Sequence, residues 1–472
     1  MVLDDDIPHD AALPQLADVL NRSKMKALFQ AEFFPEGRFR IEACSIERVK
    51  YKPGKNCLVC YRLEIRDRMT QQVFTQRLST RIFEKGGAIS RFKKAQLQNG
   101  VMPVLGRGVS HLPALDMVVW VFPNDRKLQG LPKITDSIYL KEKLLPDLMR
   151  SAFGPEWIIS ELSNEVVHYV PEHTCTVRVS LRLKNSESNR TKVMTLYGKT
   201  YYNEEGREAH RMMAQLWDAE IRRTEQFRMA EPLGYDPKTK SLWQIGLPGG
   251  TLLDQEMTAP CFPTLLEGAA ASVSALHHSG LSCSRSVDLS DWVVKLEEMR
   301  RVLPTVWPSC REMLHPLVDR LALQSKQFKT HSAVTLHGDL HFKNFLVDGE
   351  KVSLIDLDNL CHGAPLQDIG SFLAGLFYRG ILKQTPIERI EKIGDLFVRY
   401  YEKRVPWTVS RSELGWYTAA ALINERAFRC LTRLKPGRRE ILDRLIRLAD
   451  RISFESSEFG ILSWRKQDGN FL

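Results

Sequence analysis

Asp339, Asn344 and Asp356 are the residues whose types and spacing point to chemistry. They sit in the run Thr335 to Asp358, TLHGDLHFKNFLVDGEKVSLIDLD. Two apolar runs, Phe345 to Val347 and Val352 to Ile355, flank Asp348-Gly349, a strong hairpin signal. A turn near Gly349 and Glu350 brings Asn344, just before the first strand, almost opposite Asp356, just after the second. An amide oxygen and a carboxylate then converge, and two protein oxygens supplemented by substrate phosphates suit Mg²⁺. Asp339 lies on the turn entering the hairpin, where a carboxylate can take the proton of a hydroxyl held beside those phosphates.

The pattern His337-x-Asp339-Leu340-x-x-x-Asn344, with Asp356 downstream, matches the kinase catalytic-loop signature, with Gly338 replacing the Arg of protein kinases. In the form HGDLHFKN followed by LIDLDN it resembles the aminoglycoside phosphotransferase (APH) family of small-molecule kinases. The resemblance implies that Asp339 orients or deprotonates an acceptor hydroxyl and that Asn344 and Asp356 hold Mg²⁺. The segment Gly363 to Gly370 resembles the family's Gly-Asp-Pro-x-x-Asp-Leu run, which implies that Asp368 braces the catalytic loop.

The elements that must position these groups follow from periodicity. Residues 13–30 have helical apolar spacing, 46–65 and 73–83 read as strands, 88–97 as a basic helix and 117–123 as a buried strand. The order then recurs: Tyr51, Pro53, Cys57, Val59 and Leu63 are matched at a constant offset of 118 by Tyr169, Pro171, Cys175, Val177 and Leu181. The second copy has Lys199 on a strand and Glu208 at the start of the following helix, the pair a kinase uses to hold phosphates. The first copy carries Arg81 and Ser90 there, so a structural or regulatory role is expected of it. Neither copy contains GxGxxG. Leu242 to Leu252 resembles the family's hinge, implying backbone contacts from Gly246 and Leu247 to adenine. Residues 266–281, with Gly280 as the terminating glycine, then 289–327, 368–379, 386–401, 412–434 and 438–452 read as helices, the last two separated by Pro436 and Gly437.

Composition narrows the class. With 472 residues and 43% hydrophobic content the chain can bury two or three cores. Nine scattered cysteines suit a reduced compartment better than a disulfide framework. The acidic opening MVLDDDIPHDAALPQ lacks an apolar leader core, and no stretch suggests a bilayer span, so a cytoplasmic protein without membrane contact is expected. The charge of +10 is interspersed with 57 acids, which argues against nucleic-acid binding. From Arg404 through Arg451, however, eleven Lys or Arg face five acids, which favours a neutral or anionic acceptor over a polycation.

The expectation is an α+β, protein-kinase-like fold of APH type: a degenerate N-lobe-like repeat over 1–140, a kinase N-lobe over 141–250 and a helical C-lobe over 251–472. The implied co-substrates are Mg²⁺ with ATP or GTP and a small hydroxyl compound such as a sugar. A protein partner could be engaged through the first repeat. A catalytically weak or inactive nucleotide-binding scaffold of the same fold is the other reading, motivated by the missing glycine-rich loop.

Overall fold

A computed structural model describes residues 7–97, 100–188, 190–223, 227–328, 332–434 and 437–458. Pro436, and Lys435, one of the eleven basic residues counted above, lie outside the described residues. The architecture is mixed α/β with antiparallel sheets, divided into two compact units.

The first unit comprises Met1–Glu208, Pro232–Gly246 and Leu431–Arg438. It opens with helices α1 (Leu16–Leu20) and α2 (Arg22–Phe33). The single helix expected over 13–30 is interrupted because the Asn21 side chain accepts from the Ser23 and Lys24 amides and starts a new helix. Strands β1 (Phe39–Lys52), β2 (Asn56–Asp67), β3 (Val73–Phe83), β4 (Val109–Leu112) and β5 (Met117–Val121), with α3 (Gly87–Gln96), form a sheet ordered β1-β2-β3-β5-β4. Short helices α4 (Leu131–Ile134), α5 (Ser137–Tyr139) and α6 (Leu145–Phe153) follow. Strands β6 (Trp157–Val170), β7 (Thr174–Asn185), β8 (Thr191–Tyr201), β9 (Pro232–Asp236) and β10 (Ser241–Ile245) then build a second sheet in the same order, β6-β7-β8-β10-β9.

The offset of 118 survives in the register. Tyr51 pairs with Cys57 and Tyr169 with Cys175; Leu58 pairs with Arg81 and Thr176 with Lys199. Sequence periodicity missed the outer strand β4 and began β1 seven residues late, because the half-buried run from Phe39 lacks clean alternation. The second sheet packs Val177, Val179, Leu181, Leu196 and Trp243, all nearly solvent-free, against Leu128, Leu131 and Leu140. Each such large apolar side chain contributes about 1.5–3 kcal/mol by leaving water. Gly54 lies in the turn after β1 at φ +65° and Glu172 occupies the matching place after β6 at φ +62°. For a residue with a Cβ that backbone costs about 1–2 kcal/mol.

The second unit comprises Ala209–Glu231, Leu247–Cys430 and Arg439–Leu472. Helix α7 (Glu205–Asp218) carries the chain into it. A three-stranded sheet holds β11 (Gly250–Thr251), β13 (Phe345–Asp348) and β14 (Lys351–Leu354), and β12 (Val334–Leu336) pairs with β15 (Cys361–Gly363). The helices are α8 (Phe262–His277), α9 (Leu289–Val306), α10 (Arg311–Ser325), α11 (Leu366–Lys383), α12 (Ile387–Glu402), α13 (Arg411–Ala421), α14 (Phe428–Arg433) and α15 (Arg438–Glu458). Helix α8 stops at His277 rather than 281, with Gly280 left-handed beyond the cap. The helix expected over 412–434 changes to π-helical hydrogen bonding over Leu422–Ala427. Phe372 of α11 is fully buried between Phe342 and Phe397, with ring centroids 4.7 and 4.0 Å away.

All nine cysteines are free thiols. Cys57 and Cys60 are both buried, and desolvation pushes the Cys60 thiol up to about 12. Among the described residues no helix is long and apolar enough to cross a membrane.

Candidate active site

The β13–β14 hairpin forms at the expected place, with Phe345 opposite Leu354 and Asp348 opposite Lys351 across a turn in which Gly349 is left-handed. Below it the Ile355 amide donates to the Asn344 carbonyl at 2.8 Å, so Asp356 begins one residue past Asn344's partner. Asn344 is buried on a 3₁₀ turn, Phe342–Asn344, where its side-chain oxygen accepts from the His341 amide at 3.0 Å. That bond fixes the side chain and leaves the amide oxygen a second lone pair. Asp356 is exposed and left-handed, φ +63°, a conformation in which a short carboxylate side chain is more readily accommodated. Among the described residues no group of three or more His, Cys, Asp or Glu is placed to hold a metal. One amide oxygen and one carboxylate fit Mg²⁺, which takes few protein oxygens when phosphates and water complete its shell.

The turn that carries Asp339 is strapped from beneath. Asp368, in the first turn of α11 and 2% exposed, accepts from the His337 amide at 2.6 Å and the Gly338 amide at 3.0 Å. His277 Nε2 lies 3.2 Å from the same carboxylate, and His277 Nδ1 lies 2.7 Å from the Tyr401 hydroxyl. Burial alone would raise the Asp368 carboxyl, but the His277 hydrogen bond and the His337 contacts outweigh it and hold the group below its ordinary value. The bracing expected of Asp368 is thus made through two backbone amides, and His277 serves as its packed support. His337 Nε2 is 3.0 Å from the Ile355 carbonyl, tying the turn to the hairpin.

Gly338 could not be the Arg of a protein kinase. Its φ is +78°, and a Cβ built there would lie 2.3 Å from the Asn359 carbonyl oxygen. The backbone passes so close to Asn359 that only glycine fits.

Asp339 itself is about one-third exposed. Arg429 Nη2 lies 3.5 Å from its Oδ1, and His341 Nε2 lies 4.0 Å from its Oδ2. The histidine contact is not an ion pair at neutral pH: burial first, then the positive fields of Arg426 and Arg429, push the imidazole down to about 3. Arg426, on the π-helical stretch, is 2% exposed, donates to the Ser371 carbonyl at 3.1 Å and faces Glu425 at 3.2 Å. Reading by sequence counted these arginines only as part of a basic segment. Five of the eleven pair with acids elsewhere: Arg404 with Glu267, Arg411 with Glu402, Arg444 with Glu440, Arg447 with Asp443 and Arg451 with Glu391. Arg429 is the member that reaches Asp339, by way of a π-helical offset that side-chain periodicity does not register.

In the first unit, Lys199 is half-buried on β8, opposite Thr176 and Leu242, with its ammonium 5.6 Å from the Tyr201 ring centroid. Glu208 stands in the first turn of α7. The Gly246 amide continues the β10–β8 ladder by donating to the Thr195 carbonyl at 2.7 Å. That hydrogen is therefore committed within the sheet. Leu247 follows in irregular backbone.

Residues 179–402 match the family model described as APH, phosphotransferase enzyme family. No curated protein matches the chain. Among solved structures, a thermostable mutant of aminoglycoside phosphotransferase APH(4)-Ia in apo form is 16% identical, with 66% of this chain and 99% of that one covered and a TM-score of 0.43. Amicoumacin kinase hAmiN in complex with AMP-PNP, Ca²⁺ and Ami is 13% identical, covering 63% and 89%, TM-score 0.44. A choline/ethanolamine kinase family protein from Mesorhizobium loti is 16% identical, covering 61% and 87%, TM-score 0.40. Lys199, Glu208, Gly246, Leu247, Asp339, Asn344, Asp356 and Asp368 all fall inside the segment, residues 179–402, that is similar to the APH phosphotransferase enzyme family.

Proposed function

We propose that this chain transfers the γ-phosphoryl group of ATP or GTP to a hydroxyl of a small neutral or anionic molecule. The observation that carries the reading is the partly exposed Asp339 on a turn strapped by Asp368, at the foot of a hairpin that presents Asn344 and Asp356. Asp339 orients the acceptor hydroxyl and takes its proton as the oxygen attacks phosphorus; the bond from the γ-phosphorus to the bridging oxygen breaks, giving a phosphate ester and the nucleoside diphosphate. Mg²⁺, held by Asn344 and Asp356 when bound, supplies neutralisation of phosphate charge. Lys199, supported by Glu208, is the proposed phosphate cation, and the Gly246 carbonyl with the Leu247 backbone is the proposed adenine contact. The two sheets of like strand order are read as a working N-lobe and a degenerate duplicate preceding it.

Arg429 supports the choice of acceptor. A guanidinium 3.5 Å from the proposed base, with Arg426 behind it, disfavours a polycationic substrate and favours one bearing a carboxylate or phosphate, or no charge. The experiment is ADP release by the full-length protein against neutral sugars, acidic sugars and aminoglycosides, with Asp339→Asn alongside. Turnover falling about 10²–10⁴-fold in that variant is expected; near-normal turnover would remove Asp339 from the mechanism. Phosphorylation confined to the aminoglycosides would overturn the acceptor class. Arg429→Ala is expected to raise KM for an anionic acceptor roughly tenfold to hundredfold, the worth of one charge-assisted hydrogen bond, with little change for a neutral one. One observation favours a non-catalytic scaffold: the Val170–His173 turn lacks glycine. That reading requires nucleotide binding without ADP release for every acceptor.

A further inference from the structure

The turns after β1 and β6 are built alike. The first runs through Lys52, Pro53, Gly54 and Lys55, the second through Val170, Pro171, Glu172 and His173. An aspartate from outside each hairpin holds it. Asp10 Oδ2 accepts from the Tyr51 hydroxyl at 2.7 Å and the Gly54 amide at 2.8 Å. Asp125 Oδ2 accepts from the Tyr169 hydroxyl at 2.7 Å and the Glu172 amide at 2.9 Å. Against that likeness the difference is informative: where left-handed backbone asks for glycine, the second turn has a glutamate that is 8% exposed.

The Glu172 carboxylate is gripped on both oxygens. Arg126 Nε donates to Oε1 at 2.8 Å, while Arg126 Nη2 and Arg81 Nη2 donate to Oε2 at 2.6 and 2.5 Å. Arg81 also donates to Asn56 Oδ1 at 2.9 Å, which fixes its approach. Arg81 lies on β3 at the place where β8 carries Lys199. The cation of the first sheet is thus committed to a carboxylate of the second.

We propose that Arg81 and Arg126 are positioning residues that clamp the Val170–His173 turn through Glu172, so that ion pairing supplies the rigidity and the left-handed backbone that a glycine-based phosphate loop would otherwise need. The first sheet then acts on nucleotide binding through the second without touching nucleotide. This rests on the nucleotide role proposed for the second sheet. Removing both guanidiniums leaves a buried carboxylate in disfavoured backbone, and the turn can relieve both only by leaving Asp125. A burial penalty on Glu172 is outweighed by Arg126 and Arg81, which keep its carboxyl below the ordinary value.

The test uses full-length protein and hydrogen exchange at the Glu172 and His173 amides, a readout that needs no turnover and so stands apart from the activity itself. Exchange about tenfold faster is expected in the Arg81→Ala, Arg126→Ala double variant, with the β7 amides of Val177 and Val179 unchanged. Adding Glu172→Gly, which removes the carboxylate and accepts the same backbone, is expected to restore protection to within about threefold of wild type. Nucleotide KM is expected to rise about fivefold in the double variant while kcat stays within about twofold. Unchanged exchange at Glu172 and His173 would overturn the clamp. So would acceleration that spreads across β7 in the single Arg126→Ala variant, whose partly exposed guanidinium is the gentler removal, since that would make the arginines props of the sheet rather than of the turn.

Discussion

Gly338→Ala probes how closely the turn that carries Asp339 is held. At φ +78° the added methyl imposes about 1–2 kcal/mol of backbone strain. It would also stand 2.3 Å from the Asn359 carbonyl oxygen and 3.3 Å from Cys361 Sγ. The first contact must open by about 0.7 Å merely to reach 3.0 Å, a distance real Cβ atoms essentially never undercut, and the neighbour is backbone rather than a side chain that can swing away. Relief of such overpacking adds about 1–3 kcal/mol, for a total near 2–5 kcal/mol. In a unit of this size that lowers Tm by about 4–20 °C. The turn cannot shift toward α11, because Asp368 already holds the His337 and Gly338 amides at 2.6 and 3.0 Å. The displacement therefore passes to Asp339, and a movement approaching 1 Å at the proposed base is expected to cost about 10²-fold in rate. Calorimetric unfolding measures the first quantity, and ADP release at saturating substrates measures the second. A variant with wild-type Tm would refute the packing argument; one with lowered Tm but wild-type kcat would refute the coupling of Gly338 to Asp339.

Two further outcomes follow from the same geometry. Asp356→Asn keeps a side chain that tolerates left-handed backbone, so the fold is expected to survive while Mg²⁺-dependent nucleotide affinity falls by more than the roughly 10–100-fold typical of residues behind a metal ligand; unchanged MgATP affinity in calorimetry would exclude the pairing with Asn344. Asp368→Asn is expected to cost about 1.5–3 kcal/mol at pH 7, the worth of a hydrogen bond to a charged group. Because the folded Asp368 carboxyl lies below its unfolded value of about 3.9, the stabilisation is complete above that pH and is lost as pH falls through the lower folded value. Wild type and variant therefore converge in acid, and a stability gap that widened on acidification would contradict the assignment.

The β13–β14 hairpin was legible because its signal is local: Asp348-Gly349 between two β-branched runs fixes a register without help from distant residues. The repeat was legible for a different reason, since an offset that holds across two strands survives as paired positions in both sheets. What stayed hidden depends on tertiary contact. Arg429 reaches Asp339 from just beyond the stretch where the helix expected over 412–434 changes to π-helical bonding at Leu422, a change no residue type announces. The commitment of the Gly246 amide to Thr195 extends a ladder beyond the last residue of β10, a matter of neighbouring strands rather than of the glycine. Arg81 stands out in the sequence as a departure from Lys199, yet its partner, Glu172, lies 91 residues away and could not be inferred from either turn alone.

The grip of Arg81 on Glu172 also bears on how such a chain can change over generations. Two sheets of like strand order invite the thought that one is a detachable spare, but this contact makes each a condition on the other. A chain shortened to begin near β6 would inherit a glutamate in costly backbone stripped of its cross-sheet counter-charge. Loss of Arg81 together with Arg126 is then best tolerated if position 172 changes with them, toward glycine. Among descendants of this arrangement, positions 81 and 172 should be found changing together, and the first sheet should resist deletion even where it holds no ligand of its own.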